Sequence, residues 1–246
     1  MKKILLLISV LTLLLTGCAL WDDEKPGPIG PDIPEESTTP ITEDEGLAAK
    51  VIVETVPFNN RVGNIEISNE YPSIKSFKNK NFENSINTKI ASNLADYRAE
   101  ISAVVDDKTP DTKLYKYITT YERFNAGKYL TLIIHQDYQT GGIRSNTWKE
   151  IYNIDVTTER TLKLEELFDP TTDFEKAIID EITSTSKVEF MGGDGLTRLP
   201  EDQKFYIKDG KLFIYFDPSE VASAKYGALE YEMPFTLGSD GHFKVD

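Results

Sequence analysis

The sequence predicts an α+β fold in which two main helices pack on antiparallel sheets. Three observations lead to this prediction: two segments carry apolar residues at helical spacing, most other segments alternate apolar and polar residues, and short turn signals separate them. The predicted order β-β-α-β-β-β-α-β-β-β keeps runs of strands together, which is typical of the α+β class.

The first eighteen residues have the pattern of a bacterial lipoprotein signal. Lys2 and Lys3 precede an apolar run over residues 4–15, which is short for a membrane span and typical of a signal peptide. Small residues then precede Cys18, the only cysteine of the chain. We expect Cys18 to be acylated and to anchor a mature, extracytoplasmic protein to the cell membrane. The alternative is an ordinary cleaved signal with an incidental cysteine.

Residues 19–45 predict an extended tether, because they hold five prolines, nine acidic residues and one lysine. The formal net charge is −14, of which the signal contributes +2 and the tether −8, so residues 46–246 carry −8. This charge argues against nucleic acid as a partner and favours a cationic one. An acidic surplus that only keeps the protein soluble is the alternative. We expect a monomer.

The folded part begins near residue 47 with two predicted strands. Residues 51–56 are rich in β-branched side chains, and residues 64–70 alternate until Tyr71-Pro72 ends them. A long helix is predicted over residues 81–105, where apolar residues recur every three or four positions on one face. Its predicted inner face consists of Phe82, Ile86, Ile90, Leu94, Tyr97, Ile101, Val104 and Val105.

An antiparallel meander is predicted next. Alternating residues predict strands over residues 115–121, 130–138 and 148–156. Residues 125–127 are expected to form the first turn, and Gly141-Gly142 the second.

The C-terminal elements are predicted by shorter signals. Leu162 and Leu164 continue the β pattern, and residues 172–175 form a capping box that opens a second helix. Asp209-Gly210 lies between apolar segments within residues 205–216 and predicts a tight hairpin. A last strand is predicted over residues 229–235.

Three stretches in this order resemble a known family: residues 71–74 with 82–87, residues 152–158 with 162–168, and residues 205–218 with 220–222 and 230–234. They are similar to the extracytoplasmic domain of the RsiV-like, lysozyme-sensing anti-sigma factors, and to the non-catalytic region of PdaC-type peptidoglycan deacetylases. The resemblance covers about residues 47–237. We divide the folded part of the chain into an N-terminal part, residues 46–150, and a C-terminal part, residues 151–246. It implies an envelope binding module with lysozyme or peptidoglycan as the ligand.

The turn at Gly141-Gly142 is the predicted ligand site. Tyr138, Arg144 and Trp148 flank the two glycines, and aromatic rings beside such a turn suit a sugar ring or another protein. Relatives in the resembling family often have a histidine after the paired glycines, where this chain continues with isoleucine and arginine. In the alternative interpretation, Trp148 faces the core and the glycines only form the turn.

The sequence gives little support for catalysis. His135 and His242 are the only histidines, and neither lies in a zinc-binding spacing or near a Gly-x-Ser-x-Gly motif. A pair of carboxylates that hydrolyses a glycan is conceivable, but 41 acidic residues offer no specific pair. We therefore expect no enzyme, no metal and no cofactor, and no residue is assigned a catalytic role.

Overall fold

A computed structural model describes residues 46–104, 114–139, 145–192 and 195–245. These residues form two α-helices and three sheets, most of whose strand pairs are antiparallel, so the predicted fold class is confirmed. The elements are β1 (Val53–Val62), β2 (Ile65–Ile74), α1 (Lys80–Val104), β3 (Tyr115–Ala126), β4 (Tyr129–Gln139), β5 (Ser145–Asp155), β6 (Arg160–Thr161), α2 (Phe174–Thr185), β7 (Lys204–Lys208), β8 (Lys211–Phe216), β9 (Leu229–Glu232), β10 (Thr236–Leu237) and β11 (Phe243–Lys244).

The large sheet has the order β1-β2-β3-β4-β5-β6, and the predicted meander forms its centre. One pairing differs from the antiparallel expectation. β2 and β3 are parallel, with Ile65 opposite Tyr115, because α1 lies between them in the chain and returns it to the same end of the sheet. Position 150, where we divided the two parts of the chain, lies within β5.

The first two strands are longer than predicted, because their prolines do not interrupt the pairing. Pro72 lies within β2, opposite Thr55. The amide of Lys75 donates to the Ile52 carbonyl at 3.0 Å, so in the alternating antiparallel pattern the nitrogen of Pro72 points away from β1. β3 pairs with β2 only as far as Asn69, so no ladder hydrogen bond is lost at Pro72.

Three local predictions are corrected. β6 ends at Thr161, and Leu164 opens a short 3₁₀ helix (Leu164–Leu167) instead of continuing a strand. Asp173, not Thr172, caps α2, since its carboxylate accepts from the Lys176 amide at 3.3 Å. The first turn of the meander follows Ala126, where Gly127 has a φ of +60°.

α1 covers one face of the large sheet. The side chains of Ile86, Ile90 and Leu94 are almost fully buried, which confirms the predicted inner face at these positions. Asn87 ties the helix to the end of β2, because its amide exchanges two hydrogen bonds of 2.8 Å with the backbone of Ile74. The core beneath the helix also includes Ile74, Leu130, Leu132, Ile134, Tyr152 and Ile154.

The second core lies between α2 and the small sheet β7-β8-β9. Ile178 and Ile182 are fully buried there, as the helical spacing predicted. The hairpin at Asp209-Gly210 is confirmed, and both residues have positive φ, as a tight turn of this kind requires. None of the described helices is long and apolar enough to cross a bilayer.

The edge of β7 rests on the second face of the large sheet. The Asn153 amide donates to the Phe205 carbonyl at 2.7 Å, and the Ile207 amide donates to the Thr131 hydroxyl at 3.4 Å. Thr131 in turn donates to the Asn153 oxygen at 2.8 Å. Side chains of the large sheet thus satisfy the backbone of a strand edge that has no other strand beside it.

Candidate functional site

An open cleft of about 450 Å³ lies between the large sheet and the small sheet, on the face opposite α1. This volume is within the range of small-ligand sites, which is about 300–1,000 Å³. We call it the intersheet cleft. Its floor consists of Ile118, Thr120, His135, Gln136, Asp137, Thr147, Trp148 and Lys149 from β3, β4 and β5, and its wall of Tyr215, Ala228 and Glu230.

Lys149 joins the floor of the intersheet cleft to its wall. Its Nζ forms an ion pair with the Glu230 carboxylate and lies 5.3 Å and 5.2 Å from the ring centres of Tyr206 and Tyr215. Burial opposes ionisation of Glu230, but hydrogen bonds from Lys149 and Tyr206 outweigh it and lower the pKa of this carboxyl. Glu230 is therefore an ionised group held in place at neutral pH.

Asp137 is the one floor carboxylate with a free acceptor. Its Oδ2 accepts from the Gln139 amide at 2.8 Å, whereas its Oδ1 is buried and has no hydrogen-bond partner among the described residues. His135 lies nearby on β4, with its Nε2 at 3.2 Å from the Glu122 carboxylate. The cleft thus combines the ion pair of Lys149 and Glu230 with one buried acceptor, Asp137 Oδ1, that lacks a donor among the described residues. A buried acceptor without a donor costs free energy, which a donor from a ligand would recover.

Glu230, with its lowered pKa, presents a negative charge to whatever enters the cleft. A glycosidase pairs such an ionised carboxylate with a second carboxylic acid of raised pKa. Within the described ranges, no group of three or more His, Cys, Asp or Glu side chains is arranged to hold a metal ion.

A second depression of about 800 Å³ lies where three turns meet, at residues 125–129, 209–210 and 236–241. Its polar groups bond to one another. Lys244 and the His242 amide lower the pKa of Asp240 to about 2, and the Tyr129 hydroxyl donates to the Gly241 carbonyl at 2.6 Å. No buried side-chain atom without a partner is found in this lining among the described residues, so we place the candidate site in the intersheet cleft.

The sequence-predicted ligand residues are only partly described. Gly141, Gly142, Arg144 and the acylation site Cys18 lie outside the described residues. Tyr138 is 7% exposed and stacks on Tyr115 on the face that α1 covers.

Trp148 is half-buried on that same face and packs against Tyr97 of α1, with ring centres 5.4 Å apart. Its backbone contributes to the cleft lining together with its neighbours on β5. The indole ring thus faces the core, as the alternative interpretation of the sequence held. Its Nε1 is buried and has no partner among the described residues.

β4 ends and β5 begins at the same end of the large sheet. Gln139 ends β4 and Ser145 begins β5, and Gln139 pairs with Lys116 close to the start of β3. The chain enters the fold at the other end, where the Ala48 amide donates to the Gly127 carbonyl at 3.1 Å.

Sequence reasoning missed the cleft residues Asp137, Lys149 and Glu230. Lys149 and Glu230 are separated by 81 positions, and no local pattern connects them. The only signal was a run of polar residues on the second face of β3, β4 and β5, which the alternation of the strands assigned to solvent.

The profile of a family described as "Protein of unknown function (DUF3298)" matches residues 165–236. A crystal structure of a DUF3298 family member from Bacteroides fragilis is similar at 14% identity and a TM-score of 0.52, covering 75% of this chain and 90% of that one. A DUF3298 family protein from Pseudomonas aeruginosa has 12% identity and a TM-score of 0.49, with coverages of 77% and 93%. Among curated proteins, none matches this sequence. At these identities the structural likeness concerns the fold alone.

Proposed function

We propose that this chain is a non-catalytic envelope lipoprotein, acylated at Cys18, whose folded part binds a cationic wall-acting protein. Lysozyme is the first candidate, because the sequence resembles the RsiV-like domain of lysozyme sensors. The observation that carries the proposal is Asp137, whose buried Oδ1 lacks a donor on the floor of the intersheet cleft.

A lysine or arginine side chain of a partner supplies what Asp137 lacks. Charge-assisted hydrogen bonds from such groups to carboxylates are stronger than neutral ones. The surplus of −8 on residues 46–246 adds electrostatic steering, which speeds encounter with a basic protein. Specificity then comes from the cleft and from the segment around Gly141, Gly142 and Arg144.

Calorimetric titration of residues 19–246 with lysozyme, at low and at physiological salt, tests binding. We expect a specific site of about micromolar affinity that persists at physiological salt, on the order of −8 kcal/mol. Asp137→Asn should weaken it about tenfold or more, since a hydrogen bond to a charged group contributes about 1.5–3 kcal/mol.

Asp96→Asn is the matched control, because Asp96 is exposed on α1 and the change removes the same charge. Heat that appears only at low salt, or equal weakening by both variants, would show non-specific attraction and contradict the proposal. Membrane attachment is tested separately by labelling cells with a palmitate analogue: the unaltered protein should be labelled and Cys18→Ala should not.

A peptidoglycan-binding module is the second candidate, and the size of the intersheet cleft favours it. Isolated peptidoglycan should then retain the protein at moderate salt, because contacts with sugar rings are screened little by ions. Retention that Asp137→Asn leaves unchanged, without any lysozyme binding, would favour this candidate over the first. A carboxylate-based hydrolase is the third candidate, since the sequence singles out no specific pair among its 41 acidic residues.

A further inference from the structure

Five residues in register form a row across the face of the large sheet that α1 covers. Phe58, Asn69, Thr119, Gln136 and Trp148 lie on β1 to β5, each opposite the next. The three central residues are polar and at most 1% exposed. Polar side chains at the centre of an otherwise apolar interface between a helix and a sheet require partners.

Most amide atoms of this row lack such partners among the described residues. Both side-chain atoms of Asn69 and the Nε2 of Gln136 are buried without a hydrogen bond among the described residues. Only Thr119 is satisfied, through a 3.3 Å bond to the Glu70 carbonyl. Each unsatisfied buried group costs about 1–3 kcal/mol. Three such atoms in one row therefore indicate that something else occupies the site.

Arg98 of α1 adds a positive charge to the same place. Its guanidinium lies 4.3 Å from the ring centre of Phe58, the residue opposite Asn69. Its Nη1 is buried and unpartnered, and no described carboxylate lies within ion-pair distance of it. An uncompensated, partly buried cation is costly and attracts an anion.

Tyr117 links the three groups. Its hydroxyl donates to the Gln136 Oε1, which ties the Gln136 amide to a residue of β3. Burial raises the pKa of Tyr117, and the charge of Arg98 acts on this hydroxyl in the opposite direction. Arg98 is thus close to the same hydroxyl that holds Gln136, and its contact with Phe58 places it over β1, the strand next to that of Asn69.

We infer that α1 and the large sheet enclose a site for a small monovalent anion, held by N–H groups of Arg98, Asn69 and Gln136. Donors exceed acceptors there, because the Asn69 oxygen is the one free amide acceptor among these three residues and a water molecule satisfies it. Water alone leaves the guanidinium without an ion-pair partner among the described residues, since Glu150, a carboxylate on this face, accepts from the Tyr97 hydroxyl at 2.9 Å instead. This site lies on the opposite face from the side chains of Asp137 and Lys149 and shares only Gln136 with the lining of the intersheet cleft, so binding of bromide and binding of lysozyme can be tested separately.

Bromide is the probe, because it is a small monovalent anion whose position in a crystal can be located by anomalous scattering. Residues 19–246 are unfolded thermally in rising sodium bromide, with sodium gluconate holding the ionic strength constant. We expect a saturable rise in the unfolding midpoint of about 3–5 °C at tenfold excess over the dissociation constant. Crystals grown in bromide should show an anomalous peak beside Arg98.

Arg98→Met should abolish the rise, and Lys89→Met, an exposed cation of the same helix, should keep it. The crystal measurement needs no variant, so it decides the matter even if Arg98→Met fails to fold. Three outcomes would each overturn the inference: a rise that does not saturate, a site that holds only water, and a carboxylate from residues 105–113 bound to Arg98.

Discussion

The two faces of the large sheet both bury polar side chains, but those beneath β7 have hydrogen-bond partners, whereas several of those beneath α1 do not. On the face that meets β7, Thr131 and Asn153 bond to each other and to the backbone of β7. On the face that meets α1, Asn69 and Gln136 keep unpartnered atoms although they are at most 1% exposed. Burial of polar groups therefore has different meanings on the two faces.

The difference follows from what covers each face. A strand edge presents free N–H and C=O groups, so polar side chains opposite β7 find partners in its backbone. An α-helix satisfies its backbone internally, so the side chains below α1 find no backbone partner there. Polar groups are therefore structural where β7 covers the sheet, whereas unpartnered polar atoms remain beneath α1 and at Asp137, where the intersheet cleft leaves the second face open.

The largest expected effect comes from breaking the satisfied face. Asn153→Leu removes the donor to Phe205 and leaves that carbonyl and the Thr131 hydroxyl without their partner. We expect it to lower the free energy of unfolding by about 3 kcal/mol. Urea unfolding followed by circular dichroism measures this, and a loss below about 1 kcal/mol would contradict the structural role of this face.

Asp155 gives the satisfied face a pH dependence. Burial opposes its ionisation, but hydrogen bonds to its Oδ1 from Thr157 and Thr158 outweigh burial and lower the pKa below the ordinary 3.8. The stabilisation is thus fully present above the unfolded pKa and lost as the pH falls through the lower, folded one.

We expect acid unfolding curves between pH 5 and pH 2 to show this loss, on the order of 1–2 kcal/mol. Asp155→Asn keeps an acceptor oxygen for Thr157 but cannot titrate, so its stability should fall less steeply with acid. If the free energy of unfolding of the variant fell just as steeply with acid, carboxyl groups other than Asp155 would be the cause of the loss.

A smaller effect is expected on the α1 face. Asn69→Leu replaces two unpartnered polar atoms by an apolar group of similar size. In gluconate buffer its free energy of unfolding should be unchanged or raised, because no hydrogen bond within the described residues is lost and two unpartnered polar atoms are removed. Urea unfolding beside Asn153→Leu gives the direct comparison, and equal losses would remove the distinction between the faces.

The smallest effect is expected at the rim of the intersheet cleft. The side chains of Lys149 and Glu230 are 21% and 37% exposed, and ion pairs at such sites contribute about 0–1 kcal/mol. Glu230→Gln should therefore leave the unfolding midpoint in urea almost unchanged. A loss comparable to that of Asn153→Leu would mean that the cleft wall belongs to the structural core.

Regular patterns allowed the main elements to be predicted. The spacing of Ile86, Ile90 and Leu94 predicted α1, and Asp209-Gly210 predicted the hairpin of β7 and β8, because helix period and turn chemistry act over a few residues. The length of β2 was underestimated, since the effect of Pro72 depends on whether a neighbouring strand needs its N–H.

The sequence by itself determined the α+β class, the helix faces and the Asp209-Gly210 turn, because each depends on residues close together in the chain. Only the tertiary structure decided that β2 and β3 are parallel, that Lys149 meets Glu230 across 81 positions, and that Asn69 and Gln136 share one row. These relations depend on strand register and on which element covers each face. A polar side chain belongs to the core or to a binding site according to its burial and its hydrogen-bond partners, and both are decided only when the sheet is assembled.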